Sequence, residues 1–266
     1  NSSEFPESFQ YFKDYLRENP IDQVDFLSIH EFVHTQQKEA IGTNLLSMAL
    51  REGSAEWIAE QVSGKSSTSP ALAYGKKYEA EIFRQFEQEM FNAWPSYWLW
   101  SNIPNAFGHR DLGYFVGYAL SKHYYEQVAD SQKAIADLIE LDYSNPDSVL
   151  RFVDKLQYFD RSVVEMEAAF RQAQPVVQAV QRDGDLFTLH FSSPMDTRYR
   201  GFDFGPLGEA NVLRISEYIG FGPDSMTLSF RATRKPEIQQ QMTITSNFRD
   251  QSGRELKAYL IDLPPN

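Results

Sequence analysis

Five histidines occur among 266 residues, and two of them, His30 and His34, stand four apart in FLSIHEFVHTQQ with Glu31 beside the first. On an α-helix, positions i and i+4 lie one turn apart on the same face, so both imidazoles would point the same way. Two such histidines can hold a divalent metal while the neighbouring glutamate handles a metal-bound water, the H-E-x-x-H pattern of zinc hydrolases. A catalytic zinc usually takes three protein ligands and keeps a fourth position for water. REGSAEW supplies Glu52 and, one helical turn later on the same face, Glu56. Seventeen residues separate His34 from Glu52, enough to turn the chain and run a second helix back beside the first. Glu52 is then the third ligand. Glu56 would hydrogen-bond the non-ligating nitrogen of a metal-bound histidine and fix its tautomer. A plainer reading competes, because Glu52, Glu56 and Glu60 also form an i, i+4, i+8 stripe of the kind found on solvated helix faces.

These side chains need helices to carry them. Phe26, Leu27, Ile29 and Val33 give the His30 segment an apolar side, with Asp22 or Asp25 as a cap. LLSMALREGSAEWIAEQV, within about 43–62, forms the next helix after a loop at Gly42. Residues 8–19 read as a short amphipathic helix ending at Pro20, and 74–94 as one long helix. The segment 95–111 is irregular and aromatic, with Trp98, Trp100 and Tyr97, and Trp94 just before it; it suits core packing or a pocket wall. Four further helical runs reach residue 172. At Pro175 the texture changes to short, alternating, β-rich runs separated by turn signals such as RDGD, FGPD and QSGR. The expected fold is multidomain, α then β: a mainly helical domain over 1–172 and an antiparallel β-sandwich over 176–266.

Bulk properties narrow the function classes. A net charge of −12 argues against nucleic-acid binding, which needs a basic face. With no cysteine, a metal must be held by His, Glu or Asp. Every apolar run is too short or too interrupted to span a membrane, so no transmembrane segment is expected. The start, NSSEFPES, reads as a trimmed terminus, which points to a secreted or cell-envelope protein, periplasmic or lipid-anchored. His123 reads as a surface or core histidine, and His190 lies on a predicted strand without an assigned role.

HEFVH…EGSAE resembles the glutamate-zincin pattern of thermolysin-like and aminopeptidase-type metallopeptidases. HEFVHTQQ, REGSAEWIAE and GYFVGYALSKHYYE together resemble a bacterial family of zinc-dependent proteases of unknown physiological substrate, over roughly residues 20–172. FSSPMD, following a strand, resembles bacterial immunoglobulin-like modules found beside secreted enzymes. The resemblance implies a zincin-like domain with Zn²⁺ on His30, His34 and Glu52, Glu31 as general base, and a peptide or protein substrate. It also calls for an oxyanion donor, for which HRDLGYFVGY offers Tyr114, placed first, then Tyr118 and His109. Gly113 and Gly117 alternate with those tyrosines, so this helix could approach another closely while presenting phenols. One departure from the family stands out: its active-site helix usually follows a β-sheet whose edge pairs with substrate, and residues 1–25 contain no predicted strand. A second function class is therefore open, a catalytically silent zinc-containing binding protein of the cell envelope that uses its β-sandwich for interaction.

Overall fold

The computed structural model describes residues 23–38 and 42–265. The expected helix at 8–19 and the Asp22 cap lie outside these residues. Eight helices come first and seven strands after them. The chain divides into two compact units, Asn1–Met166 and Glu167–Asn266. No described helix is long and apolar enough to cross a membrane.

Helix α1 (Val24–Gln36) buries Phe26, His30 and Val33 on one face, the i, i+4, i+7 spacing of an amphipathic helix. Asp25 lies inside its first turn rather than at the cap, where its charge still suits the helix dipole. Helix α2 (Leu45–Ser63) starts where the Asn44 side chain accepts a hydrogen bond from the Ser47 amide, and ends at Gly64 in the left-handed region. Nearly all of α2 is buried, so it is the central helix of the first unit. Helices α3 (Pro70–Lys77) and α4 (Glu79–Glu89) replace the single helix expected over 74–94. They break at Tyr78, whose amide is shared between the Tyr74 and Gly75 carbonyls. The apolar period runs through this break unchanged, so the sequence pattern gives no sign of it. Four more helices follow, α5 (Leu112–Gln127), α6 (Ser131–Glu140), α7 (Pro146–Leu156) and α8 (Val163–Ala173).

The packing of α2 against α5 sets the geometry of everything below. A Cβ on Gly53 would lie 2.0 Å from the Tyr118 amide nitrogen, and one on Gly117 would lie 1.8 Å from the Ala49 carbonyl oxygen. Only glycine at both positions lets the two backbones meet. Gly113 instead faces Leu99 and the Trp98 carbonyl, so it serves the aromatic segment and not the helix crossing. In that segment Trp98 is fully buried while Trp94 and Trp100 are exposed. Buried Glu89, at the end of α4, holds it by accepting hydrogen bonds from Tyr97 and from the Trp98 indole.

The second unit carries two antiparallel sheets. Strands β1 (Val177–Asp183), β2 (Leu186–Phe191), β5 (Thr227–Thr233) and β4 (Arg214–Phe221) form one, in the order β1-β2-β5-β4. Strands β3 (Phe202–Asp203), β6 (Gln240–Ile244) and β7 (Tyr259–Leu263) form the other, in the order β3-β6-β7. Burial alternates along β2 and β5, and Phe187 pairs with Phe230 with rings 5.5 Å apart. Those residues join Met242, Ile244 and Ile261 of the other sheet in one apolar core. NVLRISEY enters as a short 3₁₀ turn at Glu209–Asn211 before β4 begins.

Candidate metal centre

Helices α1 and α2 bring three ligating atoms together. His30 Nε2 and His34 Nε2 are 3.1 Å apart, and Glu52 Oε2 lies 3.2 Å from the His34 nitrogen and 3.8 Å from that of His30. His30 and Glu52 are buried and His34 nearly so. The three form a group that could hold a metal ion.

The donor set passes a geometric test. Four ligands placed tetrahedrally at zinc's usual ~2.0–2.2 Å are separated from one another by about 3.3–3.6 Å. The three observed separations bracket that edge length. The tautomers agree with it. Gln37 donates from Nε2 to the Arg51 carbonyl and to Ser54 Oγ, so its Oε1 faces His34 Nδ1 at 2.8 Å and fixes the proton there. Glu56 Oε2 stands 2.9 Å from His30 Nδ1, an ion-pair contact off the line of an ideal hydrogen bond, and assigns that ring the same tautomer. Both Nε2 lone pairs then face one another across 3.1 Å, an arrangement that calls for a cation between them.

Electrostatics point the same way. Burial opposes a charge on His30, yet Glu52 and Glu56 outweigh it and push the pKa up to about 9. Burial likewise opposes the Glu52 carboxylate, but His30, His34 and Tyr114 bring it down to about 2. Arg51 Nη1 approaches the other oxygen of Glu52 at 3.4 Å. The supposed solvated stripe on α2 is therefore an inward one. Glu52 faces the two histidines, Glu56 bridges His30 and the Ser67 hydroxyl, and Glu60 accepts from Tyr118 and from the Ser67 amide.

Of the three oxyanion-donor candidates, Tyr114 reaches the centre. Its ring stacks 6.2 Å from that of His30, its hydroxyl interacts with Glu52, and the Trp100 indole donates to it at 3.1 Å. Burial beside Glu52 raises its pKa, keeping the phenol protonated and able to donate. Tyr118 is committed to Glu60 at 2.9 Å and packs on Trp57. His109 stacks on Tyr74, 4.0 Å between ring centroids, further along the same cleft. His123 contacts the Leu156 carbonyl, and His190 belongs to the other unit.

Glu31 is exposed on the wall of a cleft of about 500 Å³ that His30, Glu56, Trp100, Arg110 and Tyr114 also line. Two backbone positions at this cleft are strained. Trp100 and Asp111 both have positive φ, 54° and 61°, and the Asp111 carboxylate accepts the Trp100 amide at 2.7 Å. Gln37 and Trp100 are the contributors that sequence reasoning did not assign. Gln37 carries a signal, since it stands three residues after His34 on the same helical side, but Gln36 beside it competes for that role.

No family model and no curated protein matches this chain. Among solved structures, the chain resembles a crystal structure of the S-layer protein rSbsC(31-844) at 16% identity and a TM-score of 0.27, covering 83% of this chain and 32% of that one. It also resembles the surface layer protein SbsC, domains 1–6, at 15% identity and a TM-score of 0.27, covering 91% and 33%. The chain thus spans about a third of those proteins. Neither likeness bears on the metal centre.

Proposed function

We propose that the first unit is a zinc-dependent metallohydrolase of the glutamate-zincin kind, cleaving peptide bonds in a secreted or cell-envelope setting. The reading is carried by the convergence of His30 Nε2, His34 Nε2 and Glu52 Oε2 at tetrahedral-edge separations. Zinc held there would polarise a scissile carbonyl and acidify a water. Glu31 would accept the water proton and deliver it to the leaving amine. Tyr114, kept protonated, would donate to the oxyanion, with Trp100 fixing where its hydroxyl sits. Gln37 and Glu56 hold the imidazoles in the ligating tautomer. The second unit is read as an immunoglobulin-like β-sandwich that serves as an accessory module.

A silent binding protein would use the same ligands but would have no need of an unligated carboxylate at position 31. The test pairs elemental analysis with cleavage. Wild type should carry one zinc per chain and cut reduced, carboxymethylated casein. Glu31→Gln should keep zinc and fold while losing nearly all turnover, because the amide cannot take the proton. His34→Ala with full stoichiometric zinc would defeat the ligand assignment. Wild-type cleavage by Glu31→Gln would defeat the mechanism.

A further inference from the structure

We propose that residues 66–69 form the edge on which an extended polypeptide docks beside the metal centre, main chain against main chain. The proposal deepens the peptidase reading and rests on it for the fate of the bound chain.

The segment between α2 and α3 belongs to no helix or sheet, yet it behaves as a strand. Its burial alternates with period two: Lys65, Ser67 and Ser69 are half-buried, while Ser66 and Thr68 are exposed. Its amides alternate as well. Lys65 donates to Ser63 Oγ, Ser67 to Glu60 Oε2 and Ser69 to Ser67 Oγ. The Ser66 and Thr68 amides have no acceptor among the described residues. In an extended chain, the N–H and C=O of alternate residues point to opposite edges, so the donors of 66 and 68 lie along one edge and those of 65, 67 and 69 along the other. One edge is satisfied by the protein. The other is the half-ladder of an edge strand.

That half-ladder is rigidly placed. Ser67 donates its hydroxyl to Glu56, the carboxylate that contacts His30, and its amide goes to Glu60. The same helix that supplies Glu52 therefore fixes the segment's register against the metal centre. Ser67, Thr68 and Ser69 line the cleft together with His30, Glu31 and Tyr114. Phe26, Leu27, Pro70, Ala71 and Trp100 add apolar lining where side chains of a bound strand could sit. Donors repeating every second residue match the carbonyl spacing of an extended peptide, the basis of recognition by strand addition. A small molecule or a folded helix offers no such row. The sheet edge expected before the active-site helix thus has a substitute placed after α2.

The test uses zinc-loaded full-length Glu31→Gln protein, reduced carboxymethylated casein as the unfolded probe, and hydrogen–deuterium exchange of the 64–70 segment. Casein should slow exchange of that segment, and native, folded proteins should not. Thr68→Pro removes one outward donor at a position where an extended backbone tolerates proline, and should weaken casein binding about 5–10-fold with zinc content unchanged. Thr68→Ala keeps the main chain and should bind as the parent does. If Thr68→Pro fails to fold, the exchange result on the parent decides alone. Absent binding, or binding that protects only other segments, overturns the proposal. Protection of 64–70 without cleavage by wild type keeps the docking edge and removes the peptidase reading. Cleavage without protection does the reverse.

Discussion

At the residue scale, the two metal-facing imidazoles are held by different partners. His30 leans on a carboxylate, Glu56, and His34 on an amide, Gln37, which is itself tied to Ser54 and through it to Tyr143. Removing either partner should loosen a ring that must sit within a few tenths of an ångström. Glu56→Gln and Gln37→Leu are each expected to weaken zinc affinity ~10–100-fold while leaving stoichiometry at saturation intact. Competition with a chromogenic chelator measures this; unchanged affinity in both would mean that neither residue positions a ligand. Tyr114→Phe should leave zinc affinity unchanged and lower kcat by about 100-fold or more. A change in KM alone would assign Tyr114 to binding. The ligands were legible because i and i+4 on one helix, answered by a glutamate at helix-return distance, have few other uses. Tyr114 and Tyr118 were not separable, since both occupy one row of α5 and only the neighbouring helix decides which phenol meets Glu52.

That neighbour is fixed at the element scale. The α2–α5 crossing depends on Gly53 and Gly117, where backbone meets backbone. A methyl at Gly53 has no flexible side chain to displace, so the helices themselves must separate. Gly53→Ala should cost about 1–3 kcal/mol or more and weaken zinc binding as well, because Glu52 is the adjacent residue. Denaturant melting together with a zinc titration checks both effects; a stable variant with wild-type affinity would show that the crossing can relax without moving the centre. Sequence reasoning anticipated a close approach through Gly113 and Gly117, and only Gly117 makes it. The division of 74–94 into α3 and α4 was equally invisible, because a continuous 3.6-residue pattern does not record a change of helix direction.

At the scale of the whole molecule, two units with separate apolar cores hold the centre in one of them. A ligand bound only by the folded form stabilises the unit that carries it, by about 2.7 kcal/mol at a free-metal concentration of ~100 Kd. For a unit of this size that corresponds to roughly 5–10 °C in Tm. Calorimetry is therefore expected to resolve two transitions, with chelator lowering only the helical one. An equal shift of both would show that the units unfold together. Residues 167–266 expressed alone should give a far-UV spectrum dominated by β-structure, and a helical spectrum would contradict the separation.

By itself the sequence determined the order of the chain, helices and then strands, and the set of side chains able to share a metal. Both are written in local periodicity, 3.6 residues before Pro175 and two after it, and in spacings of a single helical turn. The tertiary structure decided the rest. Which tyrosine reaches the centre, which glutamine holds His34, and where the chain leaves an unpaired edge all depend on contacts between residues far apart in sequence. Glu60 meets Ser67 and Tyr118, and Gly53 meets Gly117, only once α2 is packed. Each contact selects one among several locally equivalent side chains, and no local pattern encodes that choice.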